Sequence, residues 1–433
     1  MNNMNPGDNH YDDFIEEKEE QEDVANAQIE ELEPIEDEQN NRNKESKEQY
    51  RAKMVKLFGL VIVVFIVVIL FGFIFSLFGK KKYDYLEVEN IMRDAAISYF
   101  KDNTKSLPKF EKNAVEIHDD VLSDEGYMKK LSDLIKGENC SGKVVVKKIK
   151  SKEYSYTAYL DCGSGYKTRE LYKEIVDKKN IVTSGYGVYE INNEYVYRGK
   201  NVKNFVRFKD SKILWRIVKV TSNNEIALVQ AFRSNNSYAW DTRYNSVFEN
   251  NSGINVFDKS EMSNVLRIIY KGYFGNEDDK DYYDVYFAYD GEKKLLTKND
   301  KTKLVKYNVC VGPRSNADTS RDGSSECSVT SSTYFGLLPV YDFLNASIDP
   351  ACTTTISPEC QNYNYLSSED DANYWLANGN VELSNKVYNV TGEAYVGSRE
   401  ASSTSYIKGV IHLNDMVMIE SGKGTLNDPF VIR

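Results

Sequence analysis

The chain has 433 residues, 41% of them hydrophobic and 12% aromatic, which is enough to bury sizeable cores in two or three domains. Its formal net charge of −11 is local: residues 1–50 hold 17 acidic against 4 basic side chains, a charge of −13, so the other 383 residues carry about +2. That balance offers no clustered basic face, and nucleic-acid binding is not expected. The 32 tyrosines suit β-surfaces that pack on one side and bind on the other.

Residues 1–50 lack a sustained apolar period and read as a disordered acidic tail that could meet a cytoplasmic partner. Leu57 to Phe78 is a run of 22 residues without a charge. At about 1.5 Å per residue a helix there is long enough for a bilayer core, and a helix satisfies every backbone amide in lipid. It reads as an uncleaved signal anchor whose partner is the lipid bilayer. Basic residues from Arg42 to Lys56 slightly favour the N-terminus inside, against the triplet Lys80, Lys81 and Lys82. All six cysteines follow the run and none precedes it, which points to an oxidising exterior for residues 83–433. The expected localisation is therefore the cell membrane, single-pass, with a cytoplasmic N-terminus and an extracellular C-terminal region.

Beyond the anchor, Leu86, Val88, Met92, Ala95, Ala96 and Tyr99 form a helical stripe ending before Pro108, which could extend the membrane helix outward. A second short helix is expected around Tyr127–Ile135. The text GKVVVKKIKSKEYSYTAYLDC then alternates as a strand pair flanked by Cys140 and Cys162. Residues 83–165 thus read as a small helix-plus-antiparallel-sheet stalk, and 166–187 as a charged connector. From Val188 to Arg433 the chain is β-rich. Asp258 and Glu261 fit a capping box for a helix with Met262, Val265, Leu266 and Ile269 inward. FGLLPVYDFLNAS, 335–347, reads as a buried turn or short helix, and the last strands are KVYNV, EAYVG, YIKGVIHL, MVMIE and PFVIR. The fold class is α+β.

Six cysteines allow 15 pairings; the simplest joins neighbours, Cys140–Cys162, Cys310–Cys327 and Cys352–Cys360. Asp318, Ser320 and Asp322 alternate before Gly323, with Glu326 nearby, the oxygen spacing that calcium uses. Val329 stands where a bidentate glutamate would close the loop, so no cofactor is expected; calcium is the one possibility, with a solvated hairpin tip as the alternative. Trp240, Asp241 and Arg243, in SYAWDTRYN, are a candidate ligand contact, with the indole able to stack on a sugar ring. No nucleophile elbow, zincin helix, phosphate loop or dinucleotide fingerprint occurs.

The stalk plan resembles type IV pilin-like proteins, without their processing site. The order LWRIVKV, EIALV, WDTRYN, EMSNVLRIIY, FGLLPVYDFLN, NYWLANGN, VYNVTGEAYVG and YIKGVIHL, across about residues 200–420, resembles a bacterial domain of unknown function. That domain is related to C-type lectins and the formylglycine-generating enzymes. Where this chain has NYWLANGN, the group has a WWLRSP-like stretch. The resemblance implies a larger C-type-lectin-like mixed domain on a low-GC Gram-positive surface protein. It implies variable loops, here 233–260, 275–333 and 350–380, on a fixed frame. The function expected is recognition or adhesion, with an extracellular glycan or protein as ligand. The alternatives are an envelope-assembly or transmembrane signalling component, and an extracellular enzyme of the formylglycine-generating-enzyme-like fold.

Overall fold

The computed structural model describes residues 51, 53–57, 59–60, 62–67, 83–111, 113–135, 139–274 and 296–433. The acidic tail 1–50, the second half of the apolar run 57–78 and the acidic run 277–281 lie outside the described residues. The described part of the apolar run is helical and leaves Leu60, Phe65 and Val67 exposed. Among the described residues no helix is long and apolar enough to cross a membrane.

Residues 82–433 form a compact unit of mixed α and β structure, mostly sheet, with two apolar cores. The smaller core begins with helix Tyr85–Asp102. Its start is a capping box: Asp84 accepts from Glu87 N at 2.7 Å and Glu87 accepts from Asp84 N at 3.1 Å. The helix therefore has its own N-cap at Asp84. Val88, Met92, Ala95, Ala96 and Phe100 are buried at i, i+4 spacing against an antiparallel sheet. Its strands run in the order Ala114–His118, Ser141–Lys150, Glu153–Asp161. Val144, Val146, Ala158 and Leu160 point inward as period-2 alternation requires. A side chain at Gly142 would collide with Met92, so helix and strand touch there.

The helix expected over Tyr127–Ile135 is a single turn, Leu131–Leu134, preceded by another short helix, Asp119–Asp124. Gly126, at φ +80°, ends the first, and Tyr127 N and Met128 N close on Leu122 O. Cys140–Cys162 ties the open end of the hairpin. Its closed loop spans 22 positions, so the C140A/C162A variant should lose about 3 kcal/mol in urea denaturation of this core. A loss below about 1 kcal/mol would show that the hairpin is held by packing alone.

The expected connector 166–187 is instead part of the larger fold. Arg169–Glu170 pairs with Met418–Ile419, and helix Leu171–Val176 buries Leu171 and Ile175. The i, i+4 apolar spacing inside a charged stretch is the signal that composition hides.

The larger core lies on an 11-stranded sheet. Its main path runs Leu304–Val305, Gly409–Leu413, Ile226–Gln230, Trp215–Val220, Phe205–Phe208, Phe430–Ile432, Met418–Ser421 and Arg169–Glu170. Hairpin Gly187–Ile191/Glu194–Arg198 joins strand Trp215–Val220, and Gly336–Leu337 joins Gly409–Leu413. Strands Phe430–Ile432 and Phe205–Phe208 pair in parallel. Every residue of Ile226–Gln230, Gly409–Leu413 and Tyr374–Gly379 is buried, which explains their continuous apolar text.

The rest of the core is covered by helices Glu261–Phe274 and Val340–Ala346 and by the sheet Tyr374–Gly379, Lys386–Val390, Val396–Glu400. Helix Glu261–Phe274 is not started by the expected capping box. Ser260 Oγ accepts from Ser263 N, while Asp258 takes Ser331 Oγ and Glu261 takes Thr242.

Several tyrosines serve the core, while Tyr186, Tyr244 and Tyr363 are exposed. Tyr307, Tyr365, Tyr374 and Tyr388 are buried, with hydroxyls on backbone oxygens such as Leu366 O and Arg314 O. The three predicted disulfides all form, and among the described residues there is no free cysteine.

Candidate functional site

Three of the four residues of the calcium reading, Asp318, Ser320 and Glu326, meet at an internal cation, and Asp322 stays exposed away from it. Arg314 is buried, and its Nη1 lies 2.7 Å from Glu326 Oε1 and 3.6 Å from Asp318 Oδ2. Its other donors reach Thr355 Oγ1 at 2.6 Å and Ser320 O at 2.6 Å. Asp318 also accepts from Ser320 N and Ser325 Oγ, and Asp322 accepts from Ser324 N. Glu326 is fully buried; its Oε1 accepts from Arg314 and from Tyr341 N, while Oε2 has no hydrogen-bond partner. The guanidinium thus occupies the position the calcium reading gave to a metal. Among the described residues no group of three or more His, Cys, Asp or Glu converges as metal ligands. The motif is a folded loop closed by Cys310–Cys327.

The predicted sugar contact divides. Trp240 is fully buried, edge-on to Phe257 and Trp375 at 5.7 and 5.8 Å, and offers no face to a ligand. Asp241 is equally buried and organises the loop after it: its carboxylate accepts from Arg243 N, Ile254 N, Glu261 N and the Arg243 guanidinium. Arg243 is half exposed. The structure gives the indole the packing role that the family resemblance slightly favours over ligand contact.

Past that knot the loop carries apolar side chains outward. Tyr244 is 58% exposed, Val247 72% and Phe248 36%. Val256 at the end of the loop and Val381 and Leu383 on a neighbouring loop are exposed too. Both loops are pinned. Asn245 Nδ2 donates to Gly253 O, and Asn255 Nδ2 donates to Asn380 O, Leu383 O and Lys386 O. Gly253, at φ +81°, lies so close to Asp241 O that no side chain fits.

A polar cavity of about 280 Å³ was not anticipated from the sequence. Its wall includes Lys219, Glu225, Tyr307, Tyr341, Asp342 and His412, beside Cys310–Cys327. Lys219 Nζ lies 2.8 Å from Tyr341 Oη, 3.1 Å from Glu194 Oε2 and 3.1 Å from Asp342 Oδ1. A register shift between Ile217 and Lys219 allows Val218 and Lys219 both to be buried on one strand. Burial pushes the Asp342 carboxyl up to about 6, against the pull of Lys219, whose own ionisation the surrounding carboxylates favour. The available signal was a charge inside each of two apolar runs, Lys219 in LWRIVKV and Asp342 in FGLLPVYDFLN.

Across the cavity the His412 ring stacks on Tyr307, centroids 3.7 Å apart, with Nδ1 2.8 Å from Glu225 Oε2. Burial lowers the His412 pKa and outweighs Glu225. The unfolded chain therefore takes up a proton near pH 6.5 that the folded chain resists, so this residue's stability is present above that pH and lost as pH falls. Urea denaturation should show a fall of at most about 1.4 kcal/mol per pH unit below pH 6.5, absent in H412Q. An unchanged slope in H412Q would assign the fall to other groups.

No family model matches the chain, and neither a curated protein nor a solved structure matches it.

Proposed function

We propose that the chain is a membrane-anchored surface protein whose outer region recognises a glycan or protein through the loops 243–256 and 381–385. The observation that carries this reading is the exposed apolar group Tyr244, Val247, Phe248, Val381 and Leu383 on loops locked by buried Asp241 and Asn245. Clustered exposed apolar side chains contribute nothing to the folded core and are a usual mark of an interaction surface. Their backbones are already ordered, so binding there would not have to fix the loops. The patch lies within the expected recognition loop 233–260 and extends to 381–385. The paired cysteines favour an oxidising exterior, and the motif order across residues 200–420 favours a C-type-lectin-like frame under the loops.

The test uses the triple variant Y244S/V247S/F248S. It should melt like the parent while losing binding to bacterial or host cells and to a glycan array. Equal binding by parent and variant removes this patch from the recognition role. Protease added to intact cells should release residues beyond 83; complete protection with free thiols would overturn the outside location.

A further inference from the structure

The amine of Lys219 and the carboxyl of Asp342 meet in the polar cavity as a buried ion pair with a second carboxylate on the same amine. Both residues are at most 5% exposed. Nζ lies 3.1 Å from Oδ1, yet Oδ1 accepts no hydrogen bond. A second carboxylate, Glu194, touches the same amine at 3.1 Å and is partly exposed, and Tyr341 Oη lies 2.8 Å from it. The buried pair Lys408–Asp371 is hydrogen-bonded, as is Lys303–Asp300, and Arg314 has no nucleophilic amine.

We propose that Lys219 and Asp342 condense into an intramolecular amide, a covalent bond between strand Trp215–Val220 and helix Val340–Ala346. Nζ and Oδ1 are 3.1 Å apart, so the amine already lies against the carboxyl group whose Cγ it attacks. The step balances without a co-reactant. The ammonium passes one proton to Asp342, and the amine lone pair then attacks Cγ. Glu194 takes a second proton from nitrogen and returns it to the departing hydroxyl. One C–N bond forms, one C–O bond breaks, one water leaves, and Glu194 ends as it began. Burial favours the protonated carboxyl that this step needs.

The product is also electrostatically simpler. Two buried charges become one neutral amide, and the remaining anion, Glu194, is the one that reaches solvent. Condensation joins residues on separate elements, and the open cavity gives the water an exit.

The experiment is the intact mass of the full chain, reduced, alkylated and denatured after folding at neutral pH. The expected mass is one water below the value for the alkylated sequence. Peptide mapping should find Lys219 joined to Asp342. K219M and D342A should show the full mass, and E194Q should cross-link slower by a factor on the order of 100. A full mass in the aged, folded parent, with an unmodified Lys219 peptide, overturns the proposal. Water loss confined to one peptide, as from a cyclised Asp or Asn, overturns it equally. The bond is independent of the loop patch, so its absence leaves the recognition reading untouched.

Discussion

Arg314→Leu is expected to destabilise the larger core by about 3–5 kcal/mol, because it leaves the Glu326 carboxylate buried without its cation. Both side chains are completely buried, and the guanidinium also holds Thr355 Oγ1, Ser320 O and Asp318. Losing it frees the loop between Cys310 and Cys327, although Gly312 N still donates to Glu326 O at 2.7 Å. Burial already raises the Glu326 carboxyl even with Arg314 opposing that shift. Without the guanidinium the rise is larger, so the folded variant holds a proton that the unfolded chain releases. Stability of the variant is then retained at low pH and lost as pH rises through and above the ordinary carboxyl range. The double variant R314L/E326L should recover most of the loss, since an apolar pair of similar volume commonly replaces a buried ion pair at little cost. Trp215, Trp240 and Trp375 are all in this core and report its urea unfolding by fluorescence. An R314L midpoint within error of the parent, at equal m-value, would mean that water or Lys219 compensates Glu326.

Arg433→Ala is the second large effect, expected to cost about 3 kcal/mol and to act on the smaller core first. Glu89 sits on the buried face of helix Tyr85–Asp102, where its carboxylate accepts from Arg433, from Tyr166 Oη at 2.9 Å and from Thr168 Oγ1. One buried carboxylate therefore ties the first helix to Arg433, beside the last strand, and to the segment just before Arg169–Glu170. Lys147–Asp415, at 3.7 Å and half exposed, adds little beside it. Hydrogen exchange should accelerate across residues 85–102 in R433A while strands Trp215–Val220 and Ile226–Gln230 keep their protection. E89Q/R433A should restore part of the loss, because an amide is cheaper to bury than an unpaired charge. Uniform acceleration throughout residues 83–433 would instead make the two cores one cooperative unit.

Much of the local structure was legible because period and punctuation dictate it. The stripe Val88–Met92–Ala95–Ala96 made a helix, GKVVVKKIK and EYSYTAYLD made a hairpin, and FGLLPVYDFLNAS made a buried short helix. The cysteine pairing followed from adjacency, since each pair flanks a local turn or hairpin. The segment 166–187 was read by its charge and missed by its spacing. Trp240 was read by its polar neighbours, although its position is set by Phe257 and Trp375, distant in sequence.

By itself, then, the sequence determined most of the helices and strands, because those depend on residues a few positions apart, and made adjacent cysteine pairing the simplest of 15 choices. Only the tertiary structure decided what the charged residues do. It placed Arg314 among the acidic residues of the calcium reading, brought Lys219 against Asp342 and Glu194, and set Glu89 on Arg433. Each of those partners comes from a different element. A buried charge is intolerable without its counter-charge, but the chain order does not state which counter-charge folding will deliver.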